Sequence, residues 1–181
     1  TSYPSAELFL NGQSLGVRKK GAQESSLGLP YTRYRLIWED VPYEPGTLKV
    51  VAFDEQNRPA MVREMRTAGA PARIELLPDR SLIKADGQDL SFITVRITDA
   101  DGNLCPRAEN RVAFKVTGTG EITAVDNGDP TSLEPFGTGS RRTFNGMCVL
   151  IVRSLPGKKG PMRIKAAADG LAPAEVVVIA H

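Results

Sequence analysis

The sequence predicts an all-β chain folded as two β-sandwiches in tandem. Three observations point that way. Apolar residues recur with a period of two along most of the chain, and turn residues interrupt that rhythm about every ten positions. No segment joins a 3.6-residue apolar period to helix caps. The 181 residues are long for one small β domain and comfortable for two.

Taken in order, Ala6-Glu7-Leu8-Phe9-Leu10 alternates into Asn11-Gly12, the pair best suited to a two-residue hairpin, and Gln13-Ser14-Leu15-Gly16 returns. Arg33 to Glu39 places Tyr34, Leu36 and Trp38 on one face and is predicted as a strand, with Trp38 in the core. Tyr43-Glu44-Pro45-Gly46 is predicted to close the next hairpin, Pro fixing one φ and Gly freeing the other. Thr47 to Phe53 carries Leu48, Val50, Val51 and Phe53 on both faces, the pattern of a central strand. Asp54 to Asn57 turns, and Ala60 to Arg66 alternates back, giving about five strands by residue 67.

Thr67-Ala68-Gly69-Ala70-Pro71 is small, uncharged and broken by Gly and Pro, so it is read as a linker between domains 1–68 and 69–181. The strand rhythm then restarts. Arg73 to Leu77 and Leu90 to Thr98, with Phe92 outside the strict alternation, lead to the turn Asp99-Ala100-Asp101-Gly102-Asn103. Strands follow at Arg111 to Thr117, Glu121 to Val125, Met147 to Arg153, Pro161 to Ala167 and Ala174 to Ile179. Cys148, Leu150 and Val152 share one face while Met147, Val149 and Ile151 share the other, again a central strand.

Composition narrows the function. Net charge is +2 and evenly spread, nine Lys/Arg against eight Asp/Glu in residues 1–68. A nucleic-acid partner would show a basic stripe with interleaved aromatics, and none is present. No apolar run approaches the length of a membrane span. Two cysteines make no disulfide framework. Cys105 and Cys148 pair only if the fold brings them together, and Cys148 reads as a small buried hydrophobe.

Catalytic constellations are missing. The only histidine is His181, at the chain end, which leaves no imidazole base for a hydrolytic triad. One His and two Cys are too few for zinc. Counted from Asp99, an EF-hand would need Gly where Leu104 stands and Glu where Asn110 stands, so that segment reads as a turn. No pair of carboxylates is singled out by spacing. No cofactor or metal is implied.

The polar stretch Asp126 to Arg142 is the one that looks most like a site. Its Asp, Asn, Gly and Pro suit a capped turn, Phe136 suits an anchor, and Arg141 and Arg142 suit carboxylate partners. The candidate contact or glycan-facing residues are Asp126, Asn127, Asp129, Arg141 and Arg142, with Tyr31 as an exposed ring after Gly28-Leu29-Pro30. No residue is a candidate for catalysis.

Two series of motifs carry a resemblance. The first is Ala6-Glu7-Leu8-Phe9-Leu10-Asn11-Gly12-Gln13-Ser14-Leu15-Gly16 followed by Trp38-Glu39-Asp40-Val41-Pro42-Tyr43-Glu44-Pro45-Gly46-Thr47-Leu48-Lys49-Val50-Val51-Ala52. It resembles the immunoglobulin-like module that follows the barrel in many glycoside hydrolase family 2 enzymes. The second is Ala85-Asp86-Gly87-Gln88-Asp89-Leu90-Ser91-Phe92, Val125-Asp126-Asn127-Gly128-Asp129-Pro130-Thr131-Ser132, Phe144-Asn145-Gly146 and Ile151-Val152-Arg153-Ser154. It resembles the extreme C-terminal β-sandwich of bacterial β-galactosidases in that family.

The resemblance implies two tandem immunoglobulin-like β-sandwich domains and a retaining parent enzyme whose glutamates lie in a (β/α)₈ barrel upstream. A barrel takes about 250 residues, and none of its pattern is present. The chain is therefore expected to be a piece of a longer protein and itself inactive, bracing the barrel or mediating subunit contacts. Implied partners are the barrel and other domains of the parent, a glycan, and a second copy through the parent. A periplasmic or extracellular location is implied for the parent. Two other readings stay open: a carbohydrate-binding module, or immunoglobulin-like repeats of a bacterial surface adhesin.

Overall fold

A computed structural model describes residues 2–21 and 31–181, with Tyr31 and Thr32 described as backbone only. It is all-β apart from one helical turn. The chain divides into two compact units, Thr1–Thr67 and Ala68–His181.

The first unit contains β1 (Ser5–Leu10), β2 (Gln13–Lys19), the helical turn α1 (Tyr31–Tyr34), β3 (Thr47–Phe53) and β4 (Pro59–Arg66). Its described residues form one antiparallel sheet in the order β2-β1-β3-β4, so β3 is a central strand as its two apolar faces predict. Asn11 and Gly12 join β1 to β2 with φ of 50° and 84°, the pair of positive values that a tight hairpin with matching twist requires. Asn11 also ties the hairpin to β3. Its Oδ1 accepts the Thr47 amide at 2.8 Å and its Nδ2 donates to the Pro45 carbonyl at 3.2 Å.

Two expectations for this unit need correction. Arg33 to Glu39 is not a strand: α1 takes its start, Arg35 to Glu39 joins no sheet, and the described residues hold four strands, not five. The alternation there reflects side-chain packing without a ladder. Half-buried Trp38 donates its indole N–H to the Gly16 carbonyl at 3.0 Å, Tyr34 stands exposed, and Asp40 breaks the extended run with φ of 57°. With no strand before it, Tyr43 to Gly46 closes no hairpin. Gly46 is needed for another reason, because a Cβ there would lie 1.9 Å from Asn11 Oδ1.

The second unit is a two-sheet sandwich. Its strands are β5 (Arg73–Pro78), β6 (Leu82–Ile83), β7 (Leu90–Thr98), β8 (Arg111–Gly118), β9 (Gly120–Asp126), β10 (Ser140–Arg142), β11 (Met147–Ser154), β12 (Gly160–Ala167) and β13 (Ala174–Ala180). One sheet runs β10-β8-β12-β13-β6 and the other β5-β7-β11-β9. Ile93, Val95, Ile97, Leu150 and Val152 from one meet Val112, Met162, Ile164 and Val178 from the other, all fully buried. Burial of that apolar surface is what holds the layers together.

β11 is central, paired with β7 and β9, and turns Cys148, Leu150 and Val152 inward. Phe92 does not depart from the alternation: it faces outward, and buried Ser91 takes the inner position, its hydroxyl donating to the Arg80 carbonyl at 2.7 Å. Two short strands carry no sequence signal. β6 is recruited in parallel to β13, and β10 to the edge of β8. Both cysteines are free and buried, so the pairing left open by the sequence does not form.

The Asp99 turn is saturated by its own chain. The carboxylate accepts from the amides of Gly69 at 2.8 Å, Asp101 at 3.0 Å and Asn103 at 2.8 Å, and from Asn103 Nδ2 at 3.0 Å. Asn103 and then Gly69 hold its carboxyl at about 2, below the usual 3.8. A lowered folded pKa stabilises the folded state above the unfolded value, and that contribution is lost as pH falls from 3.8 towards 2. The gap in melting temperature between the native chain and Asp99→Asn is therefore expected to narrow across that window in calorimetric scans. A gap that stays constant would contradict the assignment.

Candidate functional site

The loop between β9 and β10 is organised from within by one buried arginine. Arg141 lies opposite Val112 on β8, and its side chain points inward, only 1% exposed. Nη1 donates to the Glu134 carbonyl at 2.7 Å, while Nη2 reaches Asn127 Oδ1 at 3.2 Å and Asp126 Oδ1 at 3.4 Å. The guanidinium carbon sits 5.5 Å from the centre of the Phe136 ring. A planar, permanently charged fork can bridge several acceptors and a ring at once, which an ammonium cannot. Its Nε is buried and has no hydrogen-bond partner among the described residues.

The rest of the loop caps itself. Asp126 accepts the Asn127 amide at 2.7 Å, and Asn127 accepts the Asp129 amide at 3.1 Å. Asp129 takes the Thr131 amide and hydroxyl at 2.9 and 2.7 Å, and these bonds hold its carboxyl below the usual range. Asn127 Nδ2 donates back to the Arg142 carbonyl at 2.9 Å. Glu134 is clamped by Arg111 at 2.7 Å. Partial burial pushes its carboxyl up, but the hydrogen bond and charge of Arg111, together with the charge of Arg141, bring it below the usual range.

The structure thus gathers Asp126, Asn127 and Arg141 into direct contact, with Asp129 in the same electrostatic field. Arg142 faces the other way and is exposed, its Nη1 near the Glu109 carbonyl at 3.3 Å. The Tyr31 ring lies outside the described residues. Neither arginine has a carboxylate as its nearest partner; both reach carbonyls first. Arg111 and Glu134 belong to the cluster but carry no sequence signal, because they meet across 23 positions. What the loop leaves free is apolar. Leu133 is 97% exposed, and Phe136 is open on the side away from Arg141.

Chemically, the loop is a brace. Asp129 and Glu134 are stabilised as anions, and all three carboxylates are occupied by donors, which suits neither a general acid nor a poised base. Among the described residues no three His, Cys, Asp or Glu are grouped to hold a metal ion. No helix among them is long and apolar enough to cross a membrane.

Comparison with known proteins agrees with this accessory character. Residues 74–177 match the model of glycoside hydrolase family 2 C-terminal domain 5, and residues 1–60 match a domain of unknown function (DUF4982). The chain is 42% identical to the β-galactosidase BoGH2A of Bacteroides ovatus over 97% of its own length but 19% of that protein. It is 30% identical to a putative β-glucuronidase of Formosa agariphila over 91% of its length and 15% of that protein. Among solved structures, a glycosyl hydrolase family 2 member from Bacteroides cellulosilyticus superposes with a TM-score of 0.84 at 34% identity, covering 99% of this chain and 22% of that one. A β-glycosidase from Bacteroides vulgatus gives 0.86 at 29% identity, over 99% and 21%. The chain therefore spans about a fifth of the length of the relatives it matches. With more than half of its residues matched by that family's own model, the chain belongs to the C-terminal region of glycoside hydrolase family 2, through its domain 5.

Proposed function

We infer that the chain is a non-catalytic accessory region of a β-galactosidase-type enzyme. In this reading the remainder of the parent hydrolyses terminal β-galactosides, and domains 1–68 and 69–181 brace its catalytic barrel or mediate domain and subunit contacts. The observation that carries it is the 42% identity to a β-galactosidase across 97% of this chain and only 19% of that protein. The Asp126–Arg142 loop supports it as a contact surface. A rigid, internally bonded scaffold presents Leu133 and Phe136 to a neighbour, which is how an interface anchor is built.

The purified chain is expected to fold and to leave a chromogenic β-galactoside uncleaved. Turnover that persists through successive purification steps would overturn the reading.

A further inference from the structure

The outward face of the β8-β12-β13 sheet holds a charge arrangement that the fold does not balance. Lys115 on β8 stands directly across from Lys165 on β12, and Lys165 directly across from Glu175 on β13. One row along, Thr117 faces Arg163. These five side chains line a shallow depression of about 410 Å³. Like charges on directly opposed residues destabilise a sheet. Glu175 is already shared, with Lys165 at 3.3 Å and Arg163 at 3.4 Å, and Lys115 has no hydrogen-bonding or ion-pair partner among the described residues. Three cations thus share one carboxylate.

Elsewhere in the unit, the ion pairs among the described residues join one cation to one or two carboxylates. Arg96 pairs with Glu75, Arg153 with Glu121, Arg111 with Glu134, and Arg80 with both Asp79 and Asp89. Among these ion pairs only Glu175 is shared by two cations, and Lys115 stands directly beside that pair.

Its size falls within the range of small-ligand sites. Its lining contains no aromatic ring, so a neutral pyranose has nothing to stack on. What it offers is two ammonium groups and a guanidinium for an anion, a threonine hydroxyl, and the Glu175 carboxylate as an acceptor for a hydroxyl. Cationic donors beside a single acceptor complement a molecule bearing both an acid group and hydroxyls. Nucleic acid would ask for a longer basic stripe with stacking rings.

We propose that this depression is a binding site for an acidic sugar, a pyranose carrying a carboxylate or a sulfate ester within a longer glycan. This builds on the carbohydrate-enzyme reading above but concerns a separate surface and a separate measurement. The acid group sits between Lys115, Lys165 and Arg163, relieving the opposed ammonium pair, while Glu175 and Thr117 take sugar hydroxyls.

The test is calorimetric titration of the 181-residue chain with three probes: an oligogalacturonide, a sulfated galactan oligosaccharide and a neutral galacto-oligosaccharide. Saturable binding of one or both acidic probes is expected, and which one binds identifies the acid group. Affinity should weaken about tenfold in Lys115→Ala and be lost in Lys115→Glu. It should also be lost near 1 M salt, where charges are screened within about 3 Å. Lys115→Glu removes the like-charge pair, so its melting temperature should equal or exceed that of the native chain, which separates lost binding from lost folding. Three results would each overturn the site: no saturable binding of either acidic probe, equal binding of the neutral one, or unaltered affinity in Lys115→Glu. Polyglutamate binding as tightly as the acidic glycans at matched charge would overturn sugar recognition. The accessory-region reading would be untouched by any of these, since turnover decides it.

Discussion

Arg141→Ala is expected to destabilise the unit Ala68–His181 by about 3 kcal/mol, the largest effect of any polar substitution in the chain. The guanidinium is fully buried and satisfies the Glu134 carbonyl, Asn127 and Asp126 while covering one face of Phe136. Alanine leaves the Glu134 carbonyl without its donor and opens a space the width of the arginine. Asp126 is nearly half exposed, so water takes back its share, and that limits the loss. Arg141→Lys keeps the charge but loses the fork, and about half the cost should remain. The midpoint of thermal unfolding should fall by roughly 10 °C or more for Arg141→Ala. Circular dichroism is the right probe, because the only tryptophan, Trp38, lies in the other unit. A shift within about 2 °C would show that the loop does not depend on this residue.

Gly146→Ala should cost more than about 3 kcal/mol, and for a different physical reason. Asn145 and Gly146 form a tight turn with φ of 52° and 75°. A Cβ on Gly146 would stand 2.2 Å from the Cys105 carbonyl oxygen, a contact that backbone must move to relieve. Movement is opposed on both sides, because Gly146 donates to the Ala108 carbonyl at 3.1 Å and accepts from the Ile97 amide at 2.8 Å. Gly128 supplies the control. Its φ is 71° and a methyl group there would meet nothing within 4 Å, so Gly128→Ala should show only the left-handed backbone penalty, about 1 kcal/mol. The difference between the two midpoints in urea measures the clash alone. Equal midpoints would remove Cys105 from the explanation.

The sequence made the sandwich of residues 69–181 readable because long strands bury alternate residues over most of their length, most regularly in β11. It also made the first hairpin readable, since Asn11-Gly12 has few other uses between two apolar runs. It misled at Arg33 to Glu39, where alternation records how side chains pack and says nothing of ladder partners. The segment after Val125 does run as a loop between strands, yet the direction of its arginines was hidden. β10 is three residues long, too short for an alternation to reveal that Arg141 turns inward while Arg142 turns out. The Lys115–Lys165 opposition joins residues fifty positions apart through strand register, and no local pattern encodes it.

The two buried thiols have a consequence for how this sandwich can be watched. Burial pushes the Cys148 thiol up to about 12, and Cys105 is shifted in the same direction. Thiolate is the nucleophilic form, so neither sulfur reacts while the layers are closed. Each opening of the sandwich exposes a group that an alkylating reagent captures permanently. The protein thus carries its own clock for spontaneous opening, with Cys148 on a central strand timing the rarest events and Cys105, in the connection after the Asp99 turn, timing those near the edge.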